Sequence, residues 1–189
     1  KQPDLARAIA LGRWGGFRRQ TICKLPVTAR TKSSSGSGVQ ETRLVWITEK
    51  RKVLCDKRED PRLTELLERT PNLAETIAYN AYGRPFKERQ LNQALDRLMT
   101  RLAEFGQVRA ATKVTGQIYC PLDLHGLRHA RGNEIAMSRG SDAEIMTQLE
   151  HATDRAAKIY RRQADRRRMA DAAQDRIDIA VRLRASQPA

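Results

Sequence analysis

All three histidines of the chain lie in one segment, together with an arginine and a tyrosine. The segment runs from Leu124 to Arg162 and reads LHGLRHARGNEIAMSRGSDAEIMTQLEHATDRAAKIYRR. Histidine titrates near neutral pH, arginine is a planar cation that matches phosphate, and a tyrosine hydroxyl can be a nucleophile. His125 and Arg128 are three positions apart, so they would share one face of a helix. As a set, these residue types predict chemistry on a phosphate ester.

The order and spacing of the set resemble the catalytic motif of the tyrosine recombinases, the phage-integrase family. That family has H-x-x-R-H, then Leu-Gly-His, then a tyrosine nine residues after the last histidine. Here the parts are His125–His129, Leu149–His151 and Tyr160. Glu150 stands where the family usually has glycine, which either alters the turn or places a carboxylate close to a phosphate site. His129 is expected to pack against or orient its neighbours and is left out of the site.

A second motif of the family is matched near the start of the chain. Residues 16–18, followed by Leu25, resemble the pattern G-x-R-x-x-E-x-x-x-L, which makes Arg18 the counterpart of the first catalytic arginine. Thr21 stands where that pattern has glutamate. A different group must therefore hold Arg18 in place.

Two short runs rich in valine, isoleucine and tryptophan predict a β-hairpin. Arg43–Glu49 and Val53–Asp56 favour strands, and the polar residues between them favour a turn. Pro26–Thr31 is a candidate third strand, which would complete a small antiparallel sheet. In the family, a lysine on this hairpin protonates the leaving oxygen. The resemblance assigns that role to Lys50, with Lys52 as the second choice, and spacing does not separate the two.

The resemblance implies a complete reaction for these side chains. Tyr160 would attack the phosphorus of a DNA strand, forming a 3′-phosphotyrosyl link and freeing a 5′-hydroxyl. Arg18 and Arg128 would bind the non-bridging oxygens, and His151 would add a hydrogen bond to the same phosphate. His125 would act as general base or proton acceptor. The link conserves the energy of the phosphodiester, so neither metal, ATP nor another cofactor is expected.

The remaining pattern predicts an α+β fold that is mainly α-helical, with the three-stranded sheet at one edge. Capping residues and apolar spacing predict helices over Leu5–Leu11, Arg18–Leu25, Asp60–Glu68, Glu88–Phe105, Leu124–Ser138 and Ala143–Leu149. Residues 1–164 would form the catalytic domain. Residues 165–189 would form a helical tail that packs either on a neighbouring protomer or back on its own domain. Nothing in the chain resembles the family's N-terminal core-binding domain.

Composition agrees with a partner that is a polyanion. The 189 residues carry a formal net charge of +14, which favours nucleic acid. No long apolar run predicts a membrane span. Three cysteines without CxxC spacing predict neither a disulfide framework nor a zinc site, so a reduced, cytoplasmic setting is expected. The resemblance to the phage integrases implies association with the bacterial nucleoid.

We therefore expect a site-specific DNA recombinase or integrase that cuts and rejoins double-stranded DNA at attachment sites. It would act as a homotetramer on DNA, and no small-molecule substrate is expected. DNA binding by this chain alone should be weak and sensitive to salt. Two alternatives stay open: an enzyme like the type IB topoisomerases, and a catalytically inactive DNA-binding module. The inactive module draws its support from the departures at Thr21 and Glu150.

Overall fold

The computed structural model describes residues 3–34, 39–48, 52–70, 72–120, 122–151 and 153–185. In these ranges the helices are α1 Pro3–Arg13, α2 Arg19–Lys24, α3 Pro61–Arg69, α4 Glu88–Glu104, α5 Leu124–Met137, α6 Asp142–Gln148 and α7 Asp154–Ala185. The strands are β1 Arg30–Ser34, β2 Gln40–Ile47, β3 Leu54–Arg58, β4 Ala111–Thr112 and β5 Ile118–Tyr119. The prediction of a mainly helical α+β fold is confirmed.

The three-stranded sheet is antiparallel, in the order β1-β2-β3. The third strand differs from its prediction over Pro26–Thr31. A short 3-10 turn occupies Val27–Ala29 and is closed by a hydrogen bond from the Ala29 amide to the Pro26 carbonyl, so β1 begins only at Arg30. The strand then continues through Ser34, into the serine-rich run.

Helix boundaries follow local capping chemistry. Asp60 accepts a hydrogen bond from the amide of Arg62 and precedes a proline at the first turn of α3. Ser141 and Glu144 form a reciprocal capping box at the start of α6. Asp123 caps α5 by accepting from the Gly126 amide at 2.6 Å. This last cap fixes the first turn of the helix that carries most of the histidine motif.

Two apolar clusters hold the domain together. The larger one joins α1, α2, α3, α4 and the three-stranded sheet, with Phe17, Ile22, Leu44 and Leu91 among its most buried members. The smaller one joins the end of α5 to α6 and the first turns of α7, through Ala136, Ile145, Leu149, Ala157, Tyr160 and Ala164. Tyr160, the candidate nucleophile, is itself a member of the smaller cluster.

The tyrosine and the predicted tail belong to one continuous helix, α7. Ala164 is its last buried apolar residue, and Arg168 donates to the Ala136 carbonyl at 2.9 Å. Residues 169–182 are exposed on every face, so this part of the tail does not fold back onto the domain. Packing on a neighbouring protomer stays a prediction. In the described ranges, none of the helices combines the length and apolar character needed to cross a membrane.

Candidate active site

Three cationic side chains converge on the end of α6 and the turn that follows it. The carbonyl oxygens of residues 148, 149 and 150 accept hydrogen bonds from Lys57, Arg128 and Arg18, in that order. The last carbonyls of a helix have no partner within the helix and carry partial negative charge, which favours nearby cations. The turn before His151 is therefore bound to β3, α5 and the segment before α2 at the same time.

Two of these cations also bind the turn that precedes Arg18. Lys57 donates to the Gly15 carbonyl and Arg128 donates to the Gly16 carbonyl. Gly16 has a φ of +67°, and a Cβ atom there would lie 2.8 Å from a methyl group of Leu149. The close approach of the two turns therefore requires glycine at this position. Lys57 and Arg128 each link this turn to the end of α6, since Lys57 contacts the carbonyls of residues 15 and 148 and Arg128 those of residues 16 and 149.

Lys57 is almost fully buried, with 5% of its surface exposed. Its ammonium lies 3.9 Å from the centroid of the Phe17 ring and 5.2 Å from that of Trp46. Burial lowers the pKa of Lys57 to about 7, and the neighbouring Glu150 carboxylate opposes that shift. The neutral amine still has N–H groups for both carbonyls that it contacts.

Glu150, the departure from the family pattern, pairs directly with Arg18. Its Oε2 lies 3.2 Å from a terminal nitrogen of Arg18, and its side chain is 1% exposed against 45% for Arg18. The residue has a φ of +51°, a left-handed conformation that explains why glycine suits this position. Glu150 Oε1 is buried and has no hydrogen-bond partner among the described residues. The chain thus keeps the turn and gains a carboxylate beside the first arginine.

Arg128 is held rigidly, because only 3% of its surface is exposed and both terminal nitrogens donate to carbonyls. Burial lowers its pKa to about 10, with the positive charge of Arg18 adding to the effect. The guanidinium therefore stays protonated at neutral pH. A cation fixed in this way needs little rearrangement to bind a phosphate oxygen.

Tyr160 lies on the other side of the site and is 4% exposed. Its hydroxyl lies 2.8 Å from Nδ1 of His129, and Nε2 of His129 lies 2.9 Å from Nε2 of His125. The ring of His151 is nearly parallel to that of Tyr160, with 6.3 Å between centroids. Burial raises the pKa of Tyr160, and the charge of Arg128 opposes that shift.

Gly132 on α5 allows this placement of the tyrosine. A Cβ atom at Gly132 would lie 2.8 Å from Cζ of Tyr160 and 2.9 Å from a methyl carbon of Leu149. Real side chains do not approach that closely. The absence of a side chain at this position therefore lets the phenol ring pack directly against the backbone of α5.

The two sides meet at an open cleft of about 750 Å³, whose lining includes Arg18, His125, Arg128 and His151. Burial, followed by the charges of Arg128 and Arg18, lowers the pKa of His151 to about 4. Its ring is therefore neutral at pH 7, and its Nδ1 has no partner among the described residues. Tyr160 is not among the residues that line this cleft; its hydroxyl contacts His129, and its ring is nearly parallel to that of His151, which lines the cleft.

Of the two lysines predicted as the general acid, Lys50 lies outside the described residues. Lys52 is exposed beside the turn, with a φ of +52°. Both assignments stay predictions. The cysteines of the described ranges are free thiols, and in the same ranges no cluster of His, Cys, Asp or Glu is arranged to hold a metal ion.

No family model and no curated protein matches the sequence, but solved structures match the fold. One is the XerH site-specific recombinase bound to palindromic difH substrate in a post-cleavage complex, with 18% identity, a TM-score of 0.62, and coverage of 89% of this chain and 44% of that one. XerA recombinase matches with 13% identity and a TM-score of 0.61, over 89% of this chain and 62% of that one. A lambda integrase dimer bound to a COC' core site matches with 16% identity and a TM-score of 0.60, over 84% of this chain and 42% of that one. The chain has the fold of the tyrosine recombinases.

The chain spans less than two thirds of each of these three proteins. Within the tyrosine recombinase fold, the residues expected from the sequence motifs lie together, apart from the undescribed Lys50. Two side chains beside them were not among the expected site residues. Lys57 has no motif to signal it, whereas His129 belongs to the H-x-x-R-H run and was expected only to pack or orient its neighbours.

Proposed function

We propose that the chain is the catalytic domain of a site-specific DNA recombinase or integrase. Its substrate would be double-stranded DNA at attachment sites, and it would act as a homotetramer on that DNA. The observation that carries the proposal is the cleft lined by Arg18, His125, Arg128 and His151, with the ring of Tyr160 of the same chain nearly parallel to that of His151.

In the proposed reaction, a scissile phosphate enters the cleft and its non-bridging oxygens bind Arg18 and Arg128. The two guanidinium groups neutralise charge that develops in the transition state. His151, neutral at pH 7, adds a hydrogen bond to the same phosphate. These contacts would hold the phosphorus in position for attack by the Tyr160 oxygen.

The attack forms a bond between the Tyr160 oxygen and phosphorus and breaks the bond to the 5′ oxygen. The proton of the Tyr160 hydroxyl leaves to His125, the proposed general base. The leaving oxygen takes a proton from a general acid, which we propose is Lys50 or Lys52. The 3′-phosphotyrosyl link conserves the energy of the broken ester, so a second 5′-hydroxyl rejoins the strand without ATP or a metal ion. The net positive charge of +14 supports DNA as the partner.

The proposal is tested by trapping the covalent intermediate. The chain is mixed at low salt with nicked suicide duplexes of randomised sequence, and protein bound covalently to DNA is separated on a denaturing gel. We expect a shifted band that disappears in Tyr160→Phe and in Arg128→Ala, the latter by roughly 100-fold or more. Tyr82→Phe is the matched control, because Tyr82 is 87% exposed and is not part of the site.

Three outcomes would count against the proposal. A wild-type chain that binds the duplexes but forms no covalent band would be an inactive DNA-binding module. A chain that forms the band and also relaxes supercoiled plasmid without any recombination product would be a topoisomerase. A band that persists in Tyr160→Phe would assign the nucleophile to another residue.

A further inference from the structure

The hydroxyl of Tyr160 contacts a side chain that has no role in the function proposed above. We propose that His129 is a further catalytic residue, which takes the hydroxyl proton of Tyr160 and passes a proton on to His125. This inference rests on the proposed function. It follows from two consecutive hydrogen bonds, of 2.8 Å and 2.9 Å, that join the tyrosine oxygen to the two histidines.

The direction of the proton follows from the surroundings of the phenol. Tyr160 is almost fully buried, and its hydroxyl has no hydrogen-bond partner other than His129 among the described residues. A buried O–H group without an acceptor is costly, so the hydroxyl donates to Nδ1 of His129. A neutral imidazole that accepts at Nδ1 carries its proton on Nε2. That proton then points at Nε2 of His125.

The charges around His129 keep it able to accept a proton. Partial desolvation of its ring lowers its pKa first, the electrostatic effects of nearby His125 and Arg128 lower it further, and Asp123 opposes the shift. The ring is therefore neutral at neutral pH. Tyr160 itself is not helped by its setting, because burial raises its pKa. A phenol that is harder to ionise than usual needs an adjacent acceptor to attack near neutral pH.

The relay also gives the proton a path from the buried hydroxyl to the cleft. Tyr160 is buried, whereas His129 is exposed and His125 lines the cleft. As the bond from the tyrosine oxygen to phosphorus forms, the phenolic proton moves to Nδ1 of His129. The Nε2 proton of His129 then moves to Nε2 of His125, which becomes the imidazolium. The general acid separately protonates the leaving 5′ oxygen, and strand rejoining reverses these transfers.

The relay is tested with a nucleophile that does not need a base. Tyr160 is replaced by 3,5-difluorotyrosine, whose hydroxyl ionises near neutral pH, in chains with and without His129→Gln. We expect His129→Gln to slow covalent complex formation by roughly 100-fold when residue 160 is tyrosine. With difluorotyrosine the loss should shrink to within about fivefold, because the phenolate is already present. An equal loss with both nucleophiles would overturn the relay and leave a structural role.

His151→Gln is the comparison variant, since His151 is assigned to the phosphate and not to the nucleophile. Its loss should be the same with both forms of residue 160. A second readout needs no DNA: the ¹⁵N shifts of His129 report which ring nitrogen carries the proton. A proton on Nε2, with an Nδ1 shift that moves in Tyr160→Phe, supports the relay, and a proton on Nδ1 overturns it. If the wild-type chain forms no covalent complex, the proposed function fails. The ¹⁵N measurement still shows whether the hydroxyl of Tyr160 donates to Nδ1 of His129.

Discussion

The two sides of the candidate site are stabilised by different kinds of contact. On the side that we propose binds phosphate, here called the phosphate side, Lys57 and Arg128 donate to backbone carbonyls of two turns that the chain brings together. On the nucleophile side, aromatic and imidazole rings pack against a helix backbone and form a chain of hydrogen bonds. One side is fixed by charge and backbone geometry, and the other by the shape of the space available to the rings.

This difference has consequences for how each side should fail. Removing a carbonyl-bound cation leaves buried acceptors without partners, which destabilises the fold as well as the site. Shifting a packed ring by a fraction of an ångström preserves the fold but misaligns the reacting oxygen. The phosphate side should therefore respond in stability, and the nucleophile side should respond in rate.

The largest effect is expected from Gly132→Ala, which reduces the space available to the ring of Tyr160 and to a methyl group of Leu149. The added Cβ would lie 2.8 Å from Cζ of the tyrosine, so the ring must move. A displacement of that kind is expected to reduce covalent complex formation by roughly 100-fold. Overpacking should cost only about 1–3 kcal/mol of stability. Suicide-duplex trapping and thermal unfolding measure the two effects.

Gly12→Ala is the matched control for this change. Gly12 is also a helical glycine, but its added Cβ would lie 3.5 Å from Leu127, an ordinary contact distance. We expect full activity and a small gain in stability of about 0.5–1 kcal/mol. Equal activity of the two variants would mean that the packing of Tyr160 against α5 does not control its reactivity.

The second effect is a pH dependence of stability that comes from Lys57. The pKa of this lysine is about 7 in the folded chain, against about 10.4 for an unfolded lysine. The unfolded chain therefore binds more protons between these values, and the fold gains stability as the pH rises. Relative to Lys57→Met, the wild-type chain should gain roughly 1.5 kcal/mol between about pH 7 and about pH 8.5.

Urea unfolding at several pH values measures this difference. Burial raises the pKa of Cys23 to about 11 and also raises that of Cys55, but both proteins contain these thiols, so their contribution largely cancels in the comparison with Lys57→Met. Stability curves of the two proteins that run parallel over the range would show that Lys57 keeps an ordinary pKa. The lysine that binds the carbonyls of residues 15 and 148 would then be fully charged.

The residues that could be predicted from the sequence are those whose spacing follows from helix geometry. Arg128, His151 and Tyr160 lie on or next to successive helices, and the lengths of these helices bring the three together. Lys57 could not be predicted, because the faces of β3 do not follow the polarity of its residues. The apolar Leu54 is 65% exposed, whereas the charged Lys57 is buried. Burial of that ammonium depends on contacts with turns far away in the chain, which no local pattern indicates.

The pairing of Glu150 with Arg18 could not be predicted from the sequence either, since it joins residues 132 positions apart. The sequence showed only two separate departures from the family pattern, a missing glutamate at Thr21 and an added one at Glu150. The structure connects them, because Thr21, Arg18 and Glu150 line one pocket of about 440 Å³. Either position could thus supply a carboxylate to the same arginine.

The smallest effect follows from that connection and separates the role of Glu150 in folding from its role in the site. Glu150→Gly removes the carboxylate and also relieves the left-handed backbone strain, so stability should not fall. Arg18 loses its partner, and because the guanidinium is partly exposed, cleavage should fall by only about fivefold. Adding Thr21→Glu to this variant should restore most of the rate, whereas Thr21→Glu alone should change little. A double variant no faster than Glu150→Gly would mean that the two positions do not substitute for each other, and that Glu150 affects the site through its turn.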